Sequence, residues 1–185
     1  MENNPQELWD WVALVSEYSP LAWERLPELE LYMDQVITMM NRQLEPFAIE
    51  GDRLLTPSMI NNYVKDEVLP RPAKKKYSRN HLAMLMMICM LKSVLSLPEI
   101  DAMLRGLTAD QEISSLYPEF VKNQSEALRQ VASRVEGMEP KDEAAQYRMA
   151  LELALEANAR RIAAARILHT LSPREEKDGK KDKSK

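Results

Sequence analysis

Residues 54–82 read LLTPSMINNYVKDEVLPRPAKKKYSRNHL, and their punctuation sets the kind of chain this is. Thr56-Pro57 is a helix start: a threonine hydroxyl can accept from a free N–H, and proline is pre-set for the first helical position. Ile60, Tyr63 and Val64 then give a short helix a small buried face, ending near Asp66. Pro70 and Pro72 forbid helix through Glu67–Tyr77, which predicts an extended excursion or a small β-hairpin. Ser78 caps the next helix, with Tyr77 before it and Leu82 four residues in, the pattern of a hydrophobic staple. Within this stretch Lys65, Arg71, Lys74, Lys75, Lys76 and Arg79 face only Asp66 and Glu67.

That concentration of positive charge stands out in a 185-residue chain of formal net charge −4. From Met1 to Glu50, acidic residues greatly outnumber Arg25 and Arg42. A basic segment inside an acidic protein points to an anionic partner at that segment; a solvated loop is the plainer alternative. Four glycines and a composition rich in Leu, Met, Ala, Glu, Gln and Lys predict a mostly α-helical fold. The single cysteine, Cys89, can form neither an internal disulfide nor a thiolate metal cluster, which suits a reducing cytosol. MENNPQELWDW has no basic region followed by an apolar run, so it does not read as a secretory signal. Leu82–Leu91 is too short an apolar run to span a bilayer. The expectation is a cytoplasmic protein without a membrane partner.

On the N-terminal side, Glu7–Glu17 is expected to be a helix, and Ser19-Pro20 and Pro27 each resemble helix starts. Leu29, Tyr32, Met33, Val36, Met40 and Leu44 recur at helical spacing and predict a helix from Glu28 to near Pro46. AIEGDRL is expected to be a loop around Gly51. On the C-terminal side, Arg79 to about Leu95 is apolar on nearly every side and should be a central core helix. Its Met84, Met86, Met87 and Met90 read as adaptable packing and Cys89 as an inert buried thiol. Ser96-Leu97-Pro98-Glu99 is a capping box. The helix it opens should run to Gly106 at the position just past its end. Thr108–Gln111 resembles another start, Pro118 should break that segment, and Glu119–Glu136 should form an amphipathic helix ending at Gly137. From Pro140 a final helix should reach about Leu171, with Tyr147, Leu151, Ala154, Asn158, Ile162, Ala165 and Leu168 on one stripe. The tail after Ser172-Pro173 carries no apolar residue and is expected to be disordered.

The order of helix, short helix, basic extended segment, core helix and capped helix resembles the winged helix-turn-helix of the MerR family of bacterial transcription regulators. The resemblance rests on TPSMINNYV, VLPRP, KKKYS and VLSLPEI, and covers roughly Leu54–Leu107. More specifically, LYMDQVITMMN followed by LTPSMINNYVKDEVLPRPAKKKYSRNHLAMLMMICMLKSVLSLPEI is similar to a bacterial family known as domain of unknown function 1836, over about Leu21–Phe120. That second resemblance implies no established activity. The first implies a mostly α fold with a MerR-like winged helix-turn-helix core at 28–107. Outside that core, the helix punctuation and composition give an N-terminal helical extension at 1–27, a C-terminal helical region at 108–171 and a charged tail at 172–185. Where MerR proteins commonly place Arg-Tyr this chain has Asn61-Asn62, and their glycine before the exit is Glu67 here; Tyr63 falls on the second of their paired tyrosines.

The function this resemblance implies is duplex DNA binding in transcription regulation. Asn61 and Asn62 would read adenine edges in a major groove about 12 Å wide. Thr56 and Ser58 would sit at the helix N-terminus, where free N–H groups favour phosphate. Lys65, Arg71, Lys74, Lys75, Lys76, Tyr77 and Arg79 complete the candidate DNA-binding set, the cations on phosphates. The plainer readings stay open: Asn61 and Asn62 as solvent-exposed residues, Thr56 and Ser58 as caps, Lys74–Lys76 as a solvated loop. MerR proteins dimerise through a long C-terminal helix, so the resemblance implies a homodimer with recognition helices about 34 Å apart. The same helix could equally fold back on its own chain. No Ser/His/Asp set, metal-ligand spacing or phosphate-binding glycine loop is present, so an enzyme, a metal site and a cofactor are not expected. His81 and His169 lack evident partners. The alternative is a protein-interaction adaptor on the same fold, using the acidic N-terminus with Trp9, Trp11 and Trp23. The effector and operator are left open.

Overall fold

The computed structural model describes residues 5–48, 54–139 and 142–171. Among them are seven α-helices: α1 Pro5–Glu17, α2 Met33–Leu44, α3 Pro57–Lys65, α4 Arg79–Leu91, α5 Leu97–Leu107, α6 Ile113–Glu136 and α7 Glu143–Leu171. Short 3₁₀ turns follow at Trp23–Arg25 and Glu45–Phe47. The mostly α expectation holds. A wing needs strands, and the described residues contain only two isolated antiparallel bridges, Leu31 with Tyr77 and Ala73 with Lys76, so the expected winged core is not borne out.

The main core is built around α4, in which Leu82, Ala83, Leu85, Met86, Met87, Ile88 and Cys89 are all buried. Each fully buried aliphatic side chain there contributes roughly 1.5–3 kcal/mol of transfer free energy. Val36, Met40 and Leu44 of α2, Ile60 and Tyr63 of α3, and Ile100 and Leu104 of α5 close over it. Tyr117 enters from α6, its hydroxyl buried without a hydrogen-bond partner. A second, smaller core joins the ends of the chain: Val12 and Val15 of α1 pack with Ala132 and Val135 of α6, flanked by Leu8, Trp9 and Leu153. The N-terminal extension and the C-terminal helical region therefore stabilise each other.

Several expected boundaries move. The helix expected from Glu28 starts at Met33, because the Leu31 backbone is taken up in pairing with Tyr77 (N···O 2.9 and 2.8 Å). Gln35 Oε1 then accepts from the Tyr32 N–H and caps the helix start. Ser19-Pro20 and Pro27 open no α-helix. Helix α4 stops at Leu91, not near Leu95, and Ser96 with Glu99 restarts the chain as the expected capping box. Gly106 lies inside the last turn of α5, with Thr108 at the cap. Thr108–Gln111 is a turn, and Pro118 does not break the chain: α6 runs through it. A proline this close to the helix start forfeits one intrahelical bond. Packing around it offsets that loss, with the Tyr117 ring 6.3 Å from Trp23 and 6.0 Å from Phe120. Gly51, Pro140 and the charged tail lie outside the described residues.

Helix α7 reaches Leu171 as expected and lies largely on the surface. None of its residues is buried. Tyr147, Leu151 and Ile162 of the expected stripe are exposed, as is Leu155. Leu153 touches the second core instead, and only Ala164 and Leu168 reach the main one. Arg134 of α6 ties the helix down through Glu156 at 2.8 Å and Glu152 at 3.7 Å.

Candidate nucleic-acid interface

The entry to α3 is held from behind. Asn41 Nδ2 donates to the Leu55 carbonyl at 3.2 Å and Lys92 Nζ to the Leu54 carbonyl at 2.9 Å. The Thr56 hydroxyl accepts from the Met59 N–H at 3.3 Å, so its side chain acts as the cap the sequence indicates. Ile60 and Tyr63 point inward, and burial pushes the Tyr63 hydroxyl up to about 12, with Cys89 adding to the shift. Burial likewise raises the Cys89 thiol to about 11, which leaves it unreactive. The opposite face of α3 carries Ser58, Asn61, Asn62 and Lys65 at i, i+3, i+4 and i+7, all exposed.

The exit from α3 turns sharply. Glu67 adopts φ 59°, a left-handed conformation that favours glycine. The chain then buries Val68 and Leu69, and the Leu69 N–H donates back to the Tyr63 carbonyl at 3.0 Å. Beyond Pro70 the basic segment forms a hairpin tip. The Lys76 N–H donates to the Ala73 carbonyl at 2.9 Å, and Lys74 and Lys75 take φ 50° and 63°. Positive φ at both central residues is the geometry that normally selects Asn-Gly, because an L side chain in that region costs about 1–2 kcal/mol. Among the described residues, the three non-glycine residues with positive φ all lie in this segment.

The base of the hairpin is packed. Tyr77 is buried, so its ring belongs to the core and cannot serve as the DNA contact expected of it. Arg79 is half-buried and already has partners within the chain. Its guanidinium lies 5.4 Å from the Trp23 ring centroid and 3.1 Å from Glu28, a residue too remote in sequence for the pairing to be anticipated. Lys76 sits over the Tyr32 ring at 5.4 Å. His81, which showed no evident partner, turns out to complete the cap of α4: its Nδ1 accepts from the Ser78 N–H at 3.1 Å. The sequence signal was its place three residues after Ser78, where Glu or Gln is the usual partner. Burial holds the imidazole below its ordinary pKa, while the nearby Pro70 and Arg71 carbonyls and Glu30 pull it back up.

What remains on the surface is the polar face of α3 with Lys65, followed by Arg71, Lys74 and Lys75, with Asp66 and Glu67 exposed between them. The four cations exceed the two carboxylates, so this surface carries a modest net positive charge. The tryptophans of the adaptor alternative are largely engaged: Trp9 packs against the second core, the Trp11 indole donates to the Pro46 carbonyl at 3.1 Å, and Trp23 carries Arg79. No curated protein matches the chain, and no solved structure does. The family described as Domain of unknown function (DUF1836) matches residues 21–120, which span α2 to α5 and with them the exposed face of α3 and the lysine-tipped hairpin. That match covers more than half of the chain, and the protein belongs to the DUF1836 family.

Proposed function

We propose that the chain is a cytoplasmic, DNA-binding transcription regulator with a MerR-like arrangement. In this reading the outer face of α3 meets the major groove and the hairpin grips the adjacent backbone. The observation that carries it is the pair of left-handed lysines at the hairpin tip. A tip built for stability alone would use Asn-Gly. Keeping two cations there at a conformational cost favours a role for their charge. Two further features support the MerR-like form. The chain order places α2, α3, the hairpin, α4 and α5 as that pattern does. Glu67 also takes a left-handed turn at the position where the pattern has glycine.

Asn61 and Asn62 would contact base edges, while Ser58, Lys65, Arg71, Lys74 and Lys75 would contact phosphates. The exposed stripe on α7, with Tyr147, Leu151, Leu155 and Ile162, is where a second copy would pair. Fluorescence anisotropy against duplex over a salt series tests the reading. Affinity should fall steeply with salt, and the Lys74→Ala/Lys75→Ala/Lys76→Ala variant should bind every sequence more weakly with a flatter slope. Asn61→Ala should weaken cognate sites only. Absence of duplex binding at low salt, or an unchanged triple variant, rejects the proposal.

A further inference from the structure

We propose that Asp101 and Arg105 of α5 are positioning residues that clamp the left-handed turn at Glu67 and so set the direction in which the basic hairpin leaves α3. This rests on the DNA-binding reading for its purpose, but not for its geometry. Arg105 Nη2 donates to the Glu67 carbonyl at 3.4 Å. Its Nε donates to both Asp101 carboxylate oxygens, at 2.7 and 2.8 Å, which fixes the guanidinium on its helix. Helix α5 is a firm base for such a clamp. Ile100 and Leu104, on its inner face, are buried, and its start is locked where Glu99 Oε2 accepts from the Ser96 N–H at 2.7 Å.

The turn needs holding because Glu67 carries a Cβ at φ 59°. Released, a residue of this kind relaxes toward right-handed or extended backbone, and that rotation redirects everything from Val68 to the hairpin tip. A glycine would adopt the turn without steric cost. The Asp101–Arg105 pair thus offsets from outside a steric cost that glycine would not incur. Arg105 serves the site without reading a base, and neither residue stands out in the sequence, since Asp101 and Arg105 look like an ordinary i, i+4 surface pair.

Amide hydrogen exchange at Leu69, whose N–H bonds the Tyr63 carbonyl, reports the turn in the absence of DNA. Arg105→Ala should speed that exchange roughly three- to tenfold and weaken duplex binding by a similar factor. Asp101→Ala should do the same to both readouts, although removing a negative charge would by electrostatics alone tighten DNA binding. Adding Glu67→Gly to Arg105→Ala should restore Leu69 protection. Adding Glu67→Gln, which removes the carboxylate but keeps Cβ, should not. Unchanged Leu69 exchange in both single alanine variants, or equal rescue by glycine and glutamine, overturns the clamp. If the wild-type chain binds no duplex while the exchange pattern appears as described, the clamp stands and only its assigned purpose falls.

Discussion

Helices α4 and α7 are both rich in apolar residues, yet one is the centre of the protein and the other lies on its surface. Seven of the thirteen residues of α4 are buried, and none of the twenty-nine in α7. The difference is in how the apolar residues are arranged around each axis. Those of α4 cover nearly every side, so any neighbour can bury some of them, and α2, α3, α5 and α6 all do. Those of α7 are spread over faces that the chain can cover only in part, leaving Tyr147, Leu151, Leu155 and Ile162 in solvent. Apolar content becomes burial only when the rest of the chain can reach it.

The largest effect that would sharpen this contrast is in α4. Leu85→Ala should cost about 2–5 kcal/mol in chemical denaturation, because Leu85 is fully buried and its truncation removes buried apolar contacts. A cost below 1 kcal/mol there would break the comparison.

Next comes the start of the same helix. His81→Ala removes the acceptor of the Ser78 N–H and should cost about 1 kcal/mol. The wild-type difference is also pH-dependent. Burial lowers the pKa of His81 in the folded chain, whereas in the unfolded chain it takes up a proton near its ordinary value of 6.5. Protonation therefore favours unfolding. The contribution is full above that pH and is lost progressively as pH falls below it. Denaturation midpoints at about pH 7.5 and about pH 5.5 should differ more for the wild type than for His81→Ala.

A smaller effect of opposite sign lies at the hairpin. Lys75→Gly relieves a left-handed L residue and should raise stability by roughly 1 kcal/mol while lowering duplex affinity. A thermal melt paired with an anisotropy titration checks both halves, and a change in stability alone would disconnect the tip from DNA binding. The smallest expected effect is in α7. Leu151→Ser should change the stability of a single chain by no more than about 0.5 kcal/mol, since Leu151 is exposed. If α7 pairs with a second copy, the same substitution should shift sedimentation toward the monomer.

Much of this arrangement was legible in the residues alone. Thr56-Pro57, Ser78 and the Ser96–Glu99 box mark their helix starts because capping is local chemistry, settled within a turn of chain. The core character of α4 was equally plain, since no other place suits a helix apolar on most sides. Of the candidate site, the exposed face of α3 and the lysine tip were visible as pattern and charge. The burial of Tyr77 and the partners of Arg79 were not, because Leu31, Glu28 and Trp23 meet them only through the fold. Pro118 misled for a similar reason: its local penalty is real, but packing around Trp23 and Phe120 outweighs it.

The amino-acid order thus settles where α3, α4 and α5 begin, which helix must be central and where the cations gather, since each depends on neighbours a few residues away. Only the tertiary structure decides which of those cations stay on the surface, which face of α7 is covered, and that Arg105 reaches the Glu67 carbonyl. Those outcomes depend on contacts between residues far apart in the chain, and no local preference encodes them.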